Sequence, residues 1–171
     1  MIQNLQSKDT RLIELVQVYK NAIPVTIRNS ILEKSLDYKW INHHSHFRAP
    51  VDKTSALELS PIIENYLKNY LSSHVALDLR IAKISPLEIN KYPTDTEMFF
   101  HTDHDSAGFP FLTMIASMND NFDGGEFVLW DDEVVKLEAG DLLLFPSMFA
   151  YPHRITKITK GTRYSVISWA Y

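Results

Sequence analysis

The chain has 171 residues, 45% hydrophobic and 22% charged, which fits one soluble globular domain whose core needs no staples. With 17 basic against 21 acidic residues its net charge is −4, arguing against a protein that grips nucleic acid through its whole surface. It contains no cysteine; disulfides, iron–sulfur clusters and thiolate zinc sites are excluded, and a metal site must use His, Asp or Glu.

The opening stretch MIQNLQSKDTRL lacks the apolar core of a signal peptide. No apolar run reaches the roughly 18 residues of a membrane span, so the expected setting is cytoplasmic, without a membrane partner. LIELVQVYKNAI, residues 12–23, is apolar and β-branched and reads as a strand. Ile27, Ile31 and Leu32 then recur at helical spacing. The clearest helix is predicted from Ser60-Pro61, serine as cap and proline in the first turn. Ile62, Ile63, Tyr66, Leu67, Tyr70 and Leu71 form its apolar stripe. From Leu77 the period changes to two: Leu77, Leu79 and Ile81, then Leu87 and Ile89, alternate with polar residues. Short apolar runs follow, FLTMIASM, EFVLW, EVVKL, DLLLF and TRYSVISWAY, separated by turns at Asp123-Gly124-Gly125 and Ala139-Gly140-Asp141. The expectation is a mostly β (α+β) chain, a sandwich or jelly roll. Residues 1–75 form a helical support region and residues 76–171 a β core, one domain over 1–171.

The first stretch with chemistry is FFHTDHDS. On an extended chain, residues two apart share a face, so His101 and Asp103 present an imidazole and a carboxylate together. His153, after the strand AGDLLLFPS, is the best third ligand. His43, His44 and His46 lie in a polar segment read as a loop, His74 ends a helix, and His104 faces away from His101 and Asp103. Two histidines and one carboxylate leave open positions on a divalent ion, the arrangement of non-haem Fe(II) oxygenases.

In the last run, Arg163, Ser165, Ile167 and Trp169 share a face. A guanidinium beside isoleucine and tryptophan needs an anion, and its planar fork suits a carboxylate. Ser165 and Tyr92 offer hydroxyls to the same anion. Tyr151, Trp130 and Phe149 are candidates for a substrate mouth, and His104 and Asp105 for its polar rim.

Together PLEINKY, FFHTDHD, NDNFDGGEFVLW, LEAGDLLLFPSMFAYPHRI and KGTRYSVISWAY resemble the prolyl 4-hydroxylase-like branch of the 2-oxoglutarate/Fe(II) oxygenase superfamily, over about Ser85 to Tyr171. The resemblance implies a double-stranded β-helix, a cupin-like barrel with N-terminal helices against one sheet. It implies that His101, Asp103 and His153 hold Fe(II), that Arg163 pairs with the distal carboxylate of 2-oxoglutarate, and that Tyr92 contacts that co-substrate. GGEF and AGDLLLFP correspond to the frame rather than to ligands. The implied activity is a dioxygenase using Fe(II), 2-oxoglutarate and O2, with ascorbate as a candidate reductant. It would hydroxylate an unactivated C–H bond while 2-oxoglutarate becomes succinate. A peptidyl-prolyl substrate is the first expectation and a free amino acid or small metabolite the alternative. Nucleic-acid demethylation and a non-catalytic metal-binding barrel rank lower.

Overall fold

The computed structural model describes residues 10–43, 45–74, 80–104 and 108–171. The expected alternation at Leu77 and Leu79, together with His44 and Asp105, lies outside them. Among the described residues three α-helices, α1 (Thr10–Glu14), α2 (Val25–Lys34) and α3 (Lys53–Ser73), accompany two main sheets. The larger sheet has seven strands. In spatial order they are β1 (Gln17–Tyr19), β10 (Leu142–Pro146), β6 (Leu112–Ser117), β13 (Thr162–Ala170), β4 (Glu88–Pro93), β3 (His46–Pro50) and β2 (Ile41–His43). The smaller has four: β5 (Met98–His101), β11 (His153–Ile155), β8 (Phe127–Leu129) and β9 (Glu133–Val135). β7 (Asp123–Gly124) and β12 (Ile158–Lys160) form a separate ribbon. Every strand pairing named above is antiparallel. Among the described residues, no helix is long and apolar enough to cross a membrane.

The large sheet is apolar on both faces, and its strands show why. In DLLLF, Leu142 and Leu144 belong to one core cluster while Leu143 and Phe145 belong to another, as a period of two requires. The first cluster lies between sheet and helices, with Ile31 of α2 and Leu59, Ile63, Leu67 and Tyr70 of α3. The second joins the two sheets: Tyr92, Ile115 and Ile167 from one side meet Phe127, Leu129 and Ile155 from the other. The site is built in this second layer.

Three local expectations need correction. α3 starts eight residues before Pro61, at Lys53. The cap is Asp52, whose Oδ1 accepts from the Thr54 and Ser55 amides at 3.1 Å each. Pro61 is an exposed interior residue, where solvent can satisfy the carbonyl that its missing N–H leaves without a partner. The segment 12–23 splits into the end of α1 and the three-residue β1; only Gln17, Val18 and Tyr19 reach β10. His43 and His46 are not in a loop: they lie on the β2–β3 hairpin and face each other in register. The hairpin's polar composition hides it, because it forms the sheet edge and β2 is wholly exposed.

The AGD turn has a structural task. Asp141 is fully buried, and its carboxylate accepts from Lys20 Nζ at 2.7 Å, the Asn21 amide at 3.0 Å and the Glu138 amide at 2.8 Å. It ties the end of β1 to the start of β10.

Candidate active site

β5 and β11 lie side by side with His101 and His153 in register, so cross-strand pairing brings together residues far apart in sequence. Their ring centroids are 4.3 Å apart. Asp103 follows β5 by two residues. Its Oδ1 is 3.5 Å from His101 Nε2 and its Oδ2 is 3.8 Å from His153 Nε2. One ligand atom from each of the three residues falls within 4.8 Å of the others.

The backbone decides which nitrogens are available. His101 Nδ1 lies 2.9 Å from the Phe99 carbonyl and His153 Nδ1 lies 3.1 Å from the Tyr151 carbonyl. A carbonyl only accepts, so these bonds place a proton on Nδ1 and make Nε2, which faces Asp103, the nitrogen that a metal would bind. His153 is packed against Phe127 and Phe145, centroids 5.2 and 5.0 Å away, which fixes its plane. Burial lowers the His153 imidazolium, and the neighbouring His101 charge adds to the drop. For Asp103, burial pushes the carboxyl up, but His101, His153 and the Thr113 hydroxyl outweigh it and hold it at about 2. Burial disfavours the His101 imidazolium, but Asp103 outweighs it and raises it, so a metal would displace a proton there; two imidazoles and one carboxylate suit a borderline divalent cation such as Fe(II).

Thr113, on β6, donates its hydroxyl to Asp103 Oδ2 at 2.6 Å and lies 2.8 Å from Ser147 Oγ. It orients the carboxylate from the opposite sheet. The sequence reading missed Thr113; the available signal was a hydroxyl within the otherwise apolar FLTMIA run, where every residue of β6 is buried.

Arg163 is 3% exposed. Its Nη1 donates to Ser165 Oγ at 3.2 Å, and its guanidinium carbon lies 5.5 Å from the Tyr92 ring centroid; β13 and β4 place Arg163 and Tyr92 in register. Burial lowers its pKa. It makes no ion pair among the described residues. A buried cation without an anion is expensive, so the guanidinium is placed where a carboxylate would offset that cost. The same inner pocket is lined by His101, Asp103, His153, Tyr92 and Arg163, so metal triad and anion cradle share one space. Ser165, Ile167 and Trp169 also face it, as the two-residue period predicts.

Gly125 explains the GGEF turn. It has φ +64°, and a Cβ there would run into Ile158 and come within 3.2 Å of Arg163 Cδ. Only glycine permits that turn beside the arginine stem.

Other candidates fall elsewhere. Tyr151 is buried in the inter-sheet core with its hydroxyl on the Leu12 carbonyl at 3.1 Å, and the Trp130 indole donates to the Ala150 carbonyl at 2.8 Å; both are packing residues, not a mouth. Phe149 is 84% exposed. His104 is exposed and packs at a tilt beside the Phe109 ring, centroids 4.7 Å apart. Phe99 and Phe100, exposed at 72% and 44%, line the outer cleft that opens above His101 and Asp103.

A two-sheet barrel carrying a His-Asp-His cluster with a buried guanidinium beside it defines the non-haem iron oxygenase class. The chain belongs to the 2OG-Fe(II) oxygenase superfamily, whose model matches residues 87–171 and whose members use Fe(II), 2-oxoglutarate and O2. It is 30% identical over 139 residues to a PKHD-type hydroxylase of Gluconobacter oxydans, an alignment covering 73% of this chain and 59% of that one. The chain spans 52% to 62% of the length of such curated relatives. In fold it is similar to a Trichoplax adhaerens prolyl hydroxylase solved with a hypoxia inducible factor peptide fragment (TM-score 0.76, 17% identity, 94% of this chain and 86% of that one). It is also similar to a Pseudomonas putida prolyl-4-hydroxylase (TM-score 0.74, 14% identity, 94% of this chain and 97% of that one). These neighbours share the double-stranded β-helix.

Proposed function

We propose that this chain is an Fe(II)- and 2-oxoglutarate-dependent dioxygenase that hydroxylates a C–H bond of a peptidyl-prolyl substrate. The observation that carries the reading is one pocket holding both a His101–Asp103–His153 triad and a buried Arg163 with no acidic partner among the described residues. When bound, the iron and its co-substrate supply oxygen activation, with decarboxylation of 2-oxoglutarate to succinate.

The protein's own residues do the positioning. His101 and His153 offer Nε2 and Asp103 offers its carboxylate, leaving open positions for co-substrate and oxygen. Arg163, steadied by Ser165 and the Tyr92 ring, receives the distal carboxylate. Phe127 and Phe145 pack around His153 and keep water from that side of the triad. The exposed aromatic lip of Phe99 and Phe100 supports a polypeptide substrate, since exposed apolar surface beside a cleft marks a binding surface. The Trichoplax neighbour binds a peptide, which favours the same choice.

The test is a succinate-formation screen of wild-type protein and Asp103→Ala, with iron and ascorbate, against proline-containing peptides and free amino acids. Mass detection follows a gain of one oxygen. Peptide-dependent succinate in the wild type and none in Asp103→Ala is expected. Normal turnover by Asp103→Ala would refute the metal assignment, and turnover on free amino acids alone would replace the peptide with a small metabolite.

A further inference from the structure

Three polar side chains at the outer cleft have no part in the scheme above. His46, on β3, is 2% exposed; neither ring nitrogen makes a geometrically sound hydrogen bond among the described residues, the Asn90 side chain being the polar group beside it. Its ring stacks on Tyr92, centroids 4.6 Å apart and planes at 16°, which holds it in place. Trp169, on β13, has a buried Nε1 that also lacks a partner among the described residues. Arg48 lies over the Trp169 ring at 5.5 Å, held by Asn90 Oδ1 at 3.0 Å and Glu88 Oε2 at 3.4 Å. All three line the cleft beside His101 and Asp103.

Their chemistry points one way. Indole and guanidinium can only donate, and a neutral imidazole carries one N–H. Burial first, then the Arg48 and His43 charges, pushes the His46 imidazolium down to about 3, so the ring is neutral near pH 7. Among the described residues lining this cleft, Asp103 carries the only side-chain carboxylate. The wall is therefore rich in donors and poor in acceptors. Buried donors left without acceptors are costly, and a ligand oxygen would relieve that cost.

We propose that His46, Trp169 and Arg48 form a substrate-reading subsite that binds a carbonyl-type oxygen, of a carboxylate or of a peptide amide, close to the carbon to be hydroxylated. The proposal rests on the oxygenase reading and adds what the substrate must carry.

The experiment uses ¹⁵N-labelled full-length protein loaded with Zn(II) and 2-oxoglutarate, so that Arg163 is already occupied. Acetate and N-methylacetamide are titrated separately while the ring N–H resonances of His46 and Trp169 are followed. Saturable shifts of both rings are expected, tighter with acetate for a carboxylate source and with N-methylacetamide for a peptide amide. His46→Phe retains a ring against Tyr92, and Trp169→Phe retains one under Arg48. Each should weaken the shift seen at the other ring by about tenfold, one hydrogen bond's worth, with thermal melting confirming the fold. If neither probe moves the rings, or neither variant changes the midpoint, the subsite is overturned. Fe(II) and 2-oxoglutarate binding is read separately, as an anaerobic visible charge-transfer band. Absence of that band in the wild type sinks the oxygenase reading and the subsite with it; a normal band with unmoved rings sinks the subsite alone.

Discussion

Replacing Arg163 by methionine removes a charge while filling most of the space. Without a ligand, the guanidinium has one hydrogen bond among the described residues, to Ser165 Oγ, and one ring contact, to Tyr92. At 3% exposure it has lost its hydration and recovered little of it. Arg163→Met is therefore expected to stabilise the ligand-free protein by on the order of 1–3 kcal/mol. Co-substrate binding should move the opposite way. Losing a charge-assisted pair with a carboxylate costs about 1.5–4 kcal/mol, or roughly a 10- to 1,000-fold higher 2-oxoglutarate requirement. The opposed signs separate this outcome from general damage to the fold. The assay is urea unfolding of the ligand-free variant beside a 2-oxoglutarate titration read by succinate release. Added 2-oxoglutarate should also raise the melting temperature of the wild type far more than that of the variant. An unchanged co-substrate requirement, or stability and affinity falling together, would refute the assignment.

Thr113→Val removes the hydroxyl on Asp103 and should weaken Fe(II) binding about 10- to 100-fold; competition with a chelator measures it, and unchanged affinity would show that Asp103 needs no such support. His46 gives a pH signature. Its folded value of about 3 lies below the usual 6.5, so the unfolded chain takes up a proton that the folded chain refuses. Its contribution is fully present above about pH 6.5 and declines as pH falls toward about 3. His46→Phe should flatten this acid limb by roughly 2–3 kcal/mol at about pH 4.5, seen as a smaller loss of urea stability than in wild type; identical slopes would refute it. Asp141→Ala leaves Lys20, Asn21 and Glu138 donors without their acceptor and should cost about 2–4 kcal/mol in urea unfolding; a loss under about 1 kcal/mol would mean that other elements hold β1.

The strands that line the pocket were legible because their side chains alternate between the two faces: Arg163, Ser165, Ile167 and Trp169 face one pocket, as their spacing requires. The triad was legible through its residue types and spacing, although only the His101–His153 register shows why His153 completes it. The start of α3 was obscured because Pro61 imitates a first-turn proline while the true cap, Asp52, lies outside the apolar stripe. The β2–β3 hairpin was hidden by histidines at a sheet edge, and with it went His46 and Arg48. Thr113 acts across the space between the sheets, a relation that no local pattern encodes.

The meeting of His101 and His153 has a consequence for how the molecule holds its shape. Among the described residues β5 has one neighbour, β11, and that pairing is short and interrupted by a register shift. An ion gripped from both strands would act as a rivet through an irregular edge seam of the small sheet. Loading the metal would then seal the barrel wall as well as arm it, and a copy that never acquired iron would be the one whose wall frays first.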